Sequence, residues 1–450
     1  MSSIVSAEHL RIIGITIDSE RFNRKLFVAG GINAGIVVEV NIYENLQYGY
    51  LTGSMILSDD QDIYRSADLV GTERVIIDFE SPDKTSSIIT KTFIIEEIDS
   101  NVKNNDYNSS LFVSLIEDIK YYDQLNKFSK AYTGTGEQII QSIVEDKLKR
   151  PLIIESEVPS VQDTFRYISP YNTPLQAISS VRNKMSTETG MPFFFYSSLV
   201  NDNLYLTDLE TIIRSEPFNA QKPFVYDQSN THKNDIESMA VNITSYNATV
   251  QENTLEVAMD GGMGHLYESV NISTGQNFLF HIDMADWFQR LRDAEMFPRD
   301  QAFIAFDKEF RPDPTDLDGL SITDYDSKII SQVVTNPYND VQGFYEESYP
   351  GQETLYGIKR AVVSHLLKNT YTINLPGLLF SVKNIKTCVG HQISMEIYKN
   401  DIDYTVGNKI DEKRSGNFVI LSKRHIFDVV GERHNVSLGI AKLASRRINR

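Results

Sequence analysis

The chain has 450 residues, of which 41% are hydrophobic and 23% charged, and this composition argues for about three or four globular domains and against long disordered segments. The formal net charge of −18 argues against a protein that binds nucleic acid phosphates or anionic membrane surfaces through clustered Lys and Arg. The single cysteine, Cys388, allows neither an intramolecular disulfide nor a cysteine-based metal site.

The N-terminal sequence MSSIVSAEHLRIIG lacks the basic region and long apolar stretch of a signal peptide. No run of about 18 uncharged apolar residues occurs anywhere in the sequence. We therefore expect neither export by a signal peptide nor insertion into a membrane.

Residues 1–125 are predicted to form an antiparallel β-unit. From His9 to about Leu125 the segments alternate between apolar and polar residues, as in LRIIGITI, GIVVEVNIY and YLTGSMIL, with Gly, Asn, Asp and Pro between them. One short helical turn is expected around Asp60 to Leu69. A barrel or closed sandwich is the natural way to protect the strand edges.

Residues 126–212 are predicted to form an α/β insert. Thr135 and Gln138 have the spacing of a capping box, and apolar residues then recur at helical spacing until Pro151. Thr173 followed by Pro174 is typical of a second helix start. The segments FFFYSS and LYLTDL, separated by Asn-Asp-Asn, predict a hairpin.

A second β-unit is predicted from residues 213–260 and 353–445, interrupted by an inserted domain at 261–352. Alternation returns in ESMAVNITSY and NTLEVAM, and it resumes in YTINLPG after a helix expected at Tyr356 to Leu367. The interrupting segment contains GGMGH, an amphipathic helix around Met284 to Met296 with the only tryptophan, Trp287, and the loop RPDPTDLDG.

The sequence ends in a short basic tail, residues 446–450. Its cations are Arg446, Arg447 and Arg450. They either dock on an acidic face of a neighbouring subunit or belong to a frayed, solvated terminus.

Two distant stretches read as the same β-meander. The first contains VGTERVIIDF, TKTFIIEEI and SSLFVSLIEDI, within residues 70–119, and the second contains VGHQISMEIY, SGNFVILSKRHIF and RHNVSLGIAKL, within residues 389–443. Each copy has a Val-Gly pair, then an F-[IV]-I strand, then a strand with a central Val-Ser-Leu. More than three hundred residues separate the copies, so a duplicated domain fits better than a short-period repeat array.

We predict no metal site in this sequence. The loop with Asp313, Asp316, Asp318 and Gly319 lacks the further ligands of a calcium loop, so a solvated turn is the better interpretation. His425 and His434 lie on neighbouring predicted strands and can approach each other, but half-exposed histidines in sheets often do so without binding a metal.

No catalytic or cofactor-binding residues are predicted either. GGMGH, residues 261–265, lacks the context of a nucleotide-binding loop and reads as a flexible joint. Cys388 has no neighbouring histidine in sequence and is interpreted as a packed thiol. Glu96 and Glu97 are expected to point to opposite faces of their strand, so they do not form an acid and base pair by themselves.

Several segments follow one another in an order typical of a known family. YLTGSMILSDD and VGTERVIIDF are similar to two strands of that family's tube domain, and TPLQAISSVRNKM, MPFFFYSS and LYLTDLETIIRSEPF are similar to its helix, aromatic strand and Asp-containing strand. NTYTINLPG resembles its "turn-Pro-Gly" strand. Together these segments resemble the baseplate hub protein of T-even-type contractile phages. Residues 261–352 depart from the pattern.

The resemblance implies a mainly β fold with α/β inserts: two homologous antiparallel, tail-tube-like β-barrel domains and two smaller α+β domains. It implies a non-enzymatic virion protein, assembled in the host cytoplasm. The expected assembly is a homotrimeric, pseudo-sixfold ring that joins a threefold central spike to the sixfold tail tube and lets DNA pass without specific binding. The implied partners are the spike protein, a tail-tube or tube-initiator protein and baseplate wedge proteins.

Two alternatives remain open at this point. One is a β-rich, carboxylate-dependent glycan hydrolase or carbohydrate-binding tail protein, since a chain with 61 acidic residues can bring carboxylates together in three dimensions. The other is a peripheral adhesin or wedge component of the same particle.

Overall fold

β-Strands dominate the computed structural model of the chain. The residues that the structure describes are 7–8, 11–19, 24–29, 37–60, 63–66, 68–80, 88–104, 108–160, 165–226, 235–250, 264–271, 275–297, 301–303, 329–334, 352–380, 385–399, 410–412 and 414–446.

In its described residues, the N-terminal part has seven strands and one short helix. The strands are β1 Arg11–Ser19, β2 Arg24–Ala29, β3 Val37–Asn45, β4 Thr52–Asp59, β5 Arg74–Glu80, β6 Ile89–Lys103 and β7 Ser109–Glu117; the helix is α1 Ile63–Ser66. The predicted helical turn is thus confirmed. The strand predicted to reach Ile119 ends at Glu117 because the chain turns there into a helix.

The next part alternates helices with short strands, as predicted. Its elements are α2 Asp118–Leu125, β8 Ala131–Gly134, α3 Gly136–Ile143 with a π-helical turn at Val144–Leu148, β9 Leu152–Ile154, β10 Phe165–Ile168, α4 Pro174–Arg182, β11 Phe193–Ser197, β12 Leu204–Asp208 and α5 Leu209–Arg214. Both predicted helix starts are confirmed, and each carries a complete capping box, Thr135 with Gln138 and Thr173 with Gln176. The predicted hairpin is the antiparallel pair β11 and β12.

The C-terminal part contains the remaining elements. They are β13 Phe224–Tyr226, α6 Ile236–Ala240, β14 Ser245–Val250, β15 Gly264–Asn271, β16 Gln276–Asp283, α7 Met284–Asp293, β17 Gln301–Phe303, β18 Ile329–Val334, α8 Gln352–Lys368, β19 Asn369–Pro376, β20 Gln392–Ile397, β21 Gly416–Asp428, β22 Arg433–Ala441 and β23 Ala444–Arg446. The helix predicted around Trp287 is α7, and the helix predicted from Tyr356 begins four residues earlier.

One prediction in this part is wrong. The segment ESMAVNITSY was read as a strand, but its first residues belong to α6. Asp235 is the reason, because its carboxylate accepts a hydrogen bond from the Ser238 amide and caps the helix N-terminus. The strand β14 begins only at Ser245. The segment NTLEVAM lies outside the described residues.

Thirteen of the described strands form one mixed sheet that crosses both β-units. Its main order is β14-β19-β22-β21-β3-β4-β7-β6-β5-β1-β2, with β20 beside β21 and β13 beside β20. Strands β15, β16 and β18 form a separate three-stranded sheet, and β17 pairs with β23. The two β-units are therefore joined edge to edge through β21 and β3.

The order of strands repeats within this sheet. In the N-terminal unit the neighbours run β3-β4-β7-β6-β5, and in the C-terminal unit they run β14-β19-β22-β21-β20. In each unit three consecutive strands form a meander, β5-β6-β7 and β20-β21-β22. The last strand of the meander pairs with an earlier strand, β4 or β19, and that strand pairs in turn with a still earlier one, β3 or β14. The duplication predicted from the sequence would give such a recurrence.

A β-bulge recurs at the same place in both units. The F-[IV]-I strands align directly: the ladder from β6 to β7 shifts between Ile95 and Glu97, and the ladder from β21 to β22 shifts between Ile420 and Ser422. Thr72 donates to the Ile95 carbonyl just as Gly390 donates to the Ile420 carbonyl, and both donors have positive φ, 89° and 79°.

The bulge also corrects the alignment of the other motifs. Thr72, not Gly71, corresponds to Gly390, so the two Val-Gly pairs are displaced by one residue. Leu115 pairs with Ile95 and Ile440 pairs with Ile420, so the two Val-Ser-Leu motifs are displaced by two. A shift of two residues preserves which side chains face the core, which is why the motifs looked equivalent in sequence.

The buried apolar side chains of the described residues form three hydrophobic clusters. One lies under the N-terminal strands, one in the α/β insert, and the largest in the C-terminal unit together with α7 and α8. Phe427, at the end of β21, packs into the N-terminal cluster rather than that of its own unit. The joint between the units is therefore a packed interface as well as a backbone pairing.

Candidate functional site

The most distinctive polar site lies where β21 pairs with β3, a region that we call the seam. The pairing is antiparallel and runs from Ser422 opposite Asn45 to Asp428 opposite Glu39. On one face Arg424 donates to the Asn41 side chain at 3.1 Å, and its guanidinium lies 5.6 Å from the centre of the Tyr43 ring. The side chains directly before and after Arg424 point to the opposite, buried face.

Glu44 is the centre of a buried polar network on that inner face. Its Oε1 atom lies 3.0 Å from Lys423 Nζ and 3.3 Å from His425 Nε2, and it accepts a hydrogen bond from the Leu199 amide at 3.1 Å. The side chains of Glu44 and Lys423 are fully buried. Lys423 also donates to the Thr387 carbonyl at 3.1 Å, so this one pair links β3, β21, the α/β insert and the loop before β20.

A histidine pair extends the network toward β22. His425 Nδ1 and His434 Nε2 are 2.9 Å apart, and the two rings are nearly parallel with centroids 5.1 Å apart. The Phe427 ring stacks on His434 at 4.5 Å. The expected approach of His425 and His434 is confirmed. The sequence analysis took them for half-exposed residues, whereas both side chains are buried.

Burial and charge set the protonation states at the seam. Burial alone would raise the pKa of Glu44, but Lys423 and the hydrogen bond from His425 lower it to about 2. Burial and the charge of Lys423 lower the pKa of His425 to about 4, and burial lowers the pKa of His434 well below its usual value. At neutral pH the seam thus contains one carboxylate–ammonium pair and two neutral imidazoles.

Cys388 lies beside this network. It is a buried free thiol, and its Sγ is 2.8 Å from Ser198 Oγ. Burial raises the pKa of Cys388 to about 11, so the side chain is a neutral thiol at physiological pH. The structure thus places it in the interior, where a small packed side chain was expected.

A second buried carboxylate joins the N-terminal unit to the α/β insert. Glu117, at the end of β7, accepts hydrogen bonds from the Leu51 amide at 2.7 Å, from Arg150 at 2.6 Å and from Ser197 at 3.3 Å. The buried Lys91 lies 3.8 Å from the same carboxylate. These two joints are thus each held by a buried carboxylate with cationic and amide partners.

The sequence analysis did not single out these buried charges, although it contained a signal for them. Lys91 lies two residues before Phe93 and Lys423 lies four residues before Phe427, so both lysines fall on the apolar side of an alternating strand. A lysine in that position is rarely buried without a partner. The partner Glu44 lies far away in sequence and could not be identified by pattern.

The other residues considered for chemistry remain apart. Glu96 and Glu97 are both exposed, since the bulge after Ile95 interrupts the regular alternation that would have put them on opposite faces. Gly264 and His265 begin β15. Residues 261–263, the Asp-rich loop with Asp313, and Arg447 and Arg450 lie outside the described residues, whereas Arg446 ends β23.

Two further features concern only the residues that the structure describes. Among them, no group of three or more His, Cys, Asp or Glu side chains is arranged to hold a metal ion. No helix in the same ranges is long and apolar enough to cross a bilayer. A paired carboxylate and neutral histidines inside the core are groups that stabilise the pairing of β21 with β3.

No family model and no curated protein matches the sequence. Among solved structures, the chain is similar to a tail protein from Neisseria meningitidis MC58, with a TM-score of 0.50 at 10% identity over 95% of this chain and 96% of the other. It is similar to the 43 kDa tail protein of prophage MuSo2 from Shewanella oneidensis, with a TM-score of 0.50 at 9% identity over 95% and 98%.

The 43 kDa protein and the meningococcal protein are both covered nearly from end to end, so the similarity extends over the whole architecture rather than one unit. A component of the type VI secretion system of E. coli matches with a TM-score of 0.37 at 10% identity, over 96% of this chain and 76% of the other. From the first two structures we conclude that this chain has the fold of these two tail proteins.

Proposed function

We propose that the chain is a structural subunit of the baseplate hub of a contractile phage tail. In this proposal it forms a homotrimeric ring of pseudo-sixfold symmetry that adapts the threefold central spike to the sixfold tail tube. The observation that carries the proposal is the repeated strand order, β3-β4-β7-β6-β5 and β14-β19-β22-β21-β20, within one continuous sheet.

The repeat matters because symmetry has to change along the tail axis. Three chains that each contribute two similar units make six nearly equivalent positions, to which a sixfold tube can bind, while the ring as a whole keeps threefold symmetry for the spike. Contacts of this head-to-tail kind form a closed ring when the rotation between neighbours closes. The tail-protein fold of the chain supports this role.

The acidic composition fits passage of DNA through such a ring. A formal charge of −18 disfavours binding of the DNA backbone, since affinity for it comes from cations that neutralise phosphates. We therefore propose that an electronegative lumen lets DNA slide without specific binding. A ring whose lumen is lined mainly by Lys and Arg would contradict this part of the proposal.

The buried carboxylates do not favour the hydrolase alternative. Glu44 and Glu117 are held in the interior by cations and amides, so neither is placed to protonate or attack a glycan. We propose instead that the protein is non-enzymatic and acts in the virion, after assembly in the host cytoplasm. Its proposed partners are the central spike, a tail-tube or tube-initiator protein and baseplate wedge proteins.

Co-expression with the candidate spike protein of the same genome tests the proposal. We expect light scattering to give a complex with three copies of this chain, and electron microscopy to show a ring of six similar units with the spike on one face. A chain that stays monomeric and does not bind the spike would overturn the proposal. Binding to wedge proteins alone would instead support a peripheral role.

A further inference from the structure

The edge of β21 that does not pair with β22 pairs with two other strands, one after the other. Before the bulge, β21 pairs with β20, from Gly416 to Val419. After the bulge, β20 has ended and β3 takes its place, beginning with the Leu46 amide, which donates to the Leu421 carbonyl, and continuing from Ser422 to Asp428. The second half of β21 is therefore covered on both edges.

Among the described residues, the equivalent strand of the other unit, β6, is paired on only one edge beyond its bulge. Up to the bulge it pairs with β5, and the last contact on that edge is the Ile95 amide donating to the Glu73 carbonyl. From Glu97 onward β6 still pairs with β7. No strand in the described ranges takes the place that β3 has beside β21, and the side chains from Asp99 to Val102 are exposed.

The strand equivalent to β3 likewise has one edge that no strand in the described part of the chain pairs with, which we call an open edge. This is β14, which pairs with β19 as β3 pairs with β4, and which ends the main order of the sheet. Asn247 and Ala248, in the middle of β14, are exposed. The open edges of β6 and β14 are thus equivalent to the two strand edges, of β21 and β3, that pair with each other at the seam.

We propose that the open edge of β6 in one copy of the chain pairs with β14 of a second copy, antiparallel and in the geometry of the seam. The two edges differ, so the contact is head-to-tail and repeats from copy to copy until the ring closes. The inference rests on the proposed ring, and it specifies the partner, the strands and the register of the contact between subunits.

The internal repeat determines the register. Asn101 pairs with Leu111 of β7 as His425 pairs with Val436 of β22, so Asn101 corresponds to His425. The strands β4 and β19 are also equivalent, and Ile42 and Ala248 pair with equivalent positions on them. Ala248 therefore corresponds to Ile42, which is the residue opposite His425.

In the ring, Asn101 therefore lies opposite Ala248 of the next copy, and Val102 lies opposite Asn247. The register takes into account a second irregularity of β6, between Ile98 and Ser100, which β21 lacks.

Cysteine cross-linking tests this register. Residues directly opposite each other in an antiparallel pair have Cα atoms about 4.5–5.5 Å apart. This lies within the range of about 4.4–6.8 Å that a disulfide needs. We would co-express chains carrying Asn101→Cys or Val102→Cys with chains carrying Ala248→Cys or Asn247→Cys, each with the spike protein, and oxidise the purified complexes with oxidised glutathione.

Two of the four combinations should link. We expect a disulfide dimer on non-reducing gels for N101C with A248C and for V102C with N247C. The crossed combinations, N101C with N247C and V102C with A248C, are matched controls that should not link, because a slip of one residue turns the side chains to opposite faces. The native Cys388 is buried and present in every sample.

The outcomes separate the two proposals. Rings in which all four combinations stay unlinked, or in which the crossed pairs link as well as the matched ones, would overturn the strand pairing and leave the hub role intact. Unmodified chains that form no ring with the spike would overturn the hub role and this inference together. A single chain carrying both matched cysteines should give a ladder that stops at three copies.

Discussion

Removing the buried cation of the seam should destabilise the fold strongly. The change from an ordinary pKa of 4.5 to about 2 means that the surroundings of Glu44 favour its charged form by about 3 kcal/mol. Lys423→Met leaves that carboxylate buried without its cation and also removes the hydrogen bond to the Thr387 carbonyl. We expect a loss of about 3–5 kcal/mol in the free energy of unfolding, as found when one member of a buried ion pair is removed.

Urea unfolding followed by circular dichroism at pH 7 measures this loss, and two controls make it specific. Lys130→Met removes a cation 3.2 Å from Asp146, but both side chains are about half exposed, so it should cost less than about 1 kcal/mol. Adding Glu44→Gln to Lys423→Met removes both charges and keeps an acceptor for the Leu199 amide.

The double variant should therefore recover at least about 2 kcal/mol. The reasoning is refuted if Lys423→Met costs no more than Lys130→Met, or if the double variant is as unstable as Lys423→Met alone.

Three further outcomes are expected. Folding lowers the pKa of His425 to about 4 and that of His434 well below its ordinary value, so the unfolded chain binds more protons below pH 6.5. His425 should therefore cost about 2 kcal/mol of stability between pH 7 and pH 5, and His434 should add to this loss. Urea midpoints that do not fall over this range would contradict the assignment. Gly377→Ala would put a methyl group against His434 Nδ1 and 2.6 Å from the His434 carbonyl oxygen, so we expect an unfolding midpoint well below that of the wild type. Near-wild-type stability would show that the backbone yields there. Thr173→Ala removes the cap of α4 and should cost about 1 kcal/mol in the same assay, whereas Thr173→Ser should cost little; equal losses would mean that the methyl group, not the hydroxyl, matters.

The sequence by itself determined the local structure of this protein. Alternation of apolar and polar residues identified most of the strands. Thr135 and Thr173 indicated the starts of two helices, because a capping hydrogen bond spans only three residues and can be recognised in the sequence. The same kind of local signal was misleading where one segment fits both the strand pattern and a helix cap. ESMAVNITSY alternates like a strand, but the cap at Asp235 begins a helix.

Only the tertiary structure decided which strands meet. The period of two residues in a strand tells which side chains face the core, but it does not name the partner strand or the register, so the Val-Ser-Leu motifs looked equivalent while lying two residues apart. The pairing of β21 with β3 joins residues that are nearly four hundred positions apart in sequence. Lys423 stabilises the fold only because Glu44, on that distant strand, lies next to it; without Glu44 it would be an unpaired buried charge.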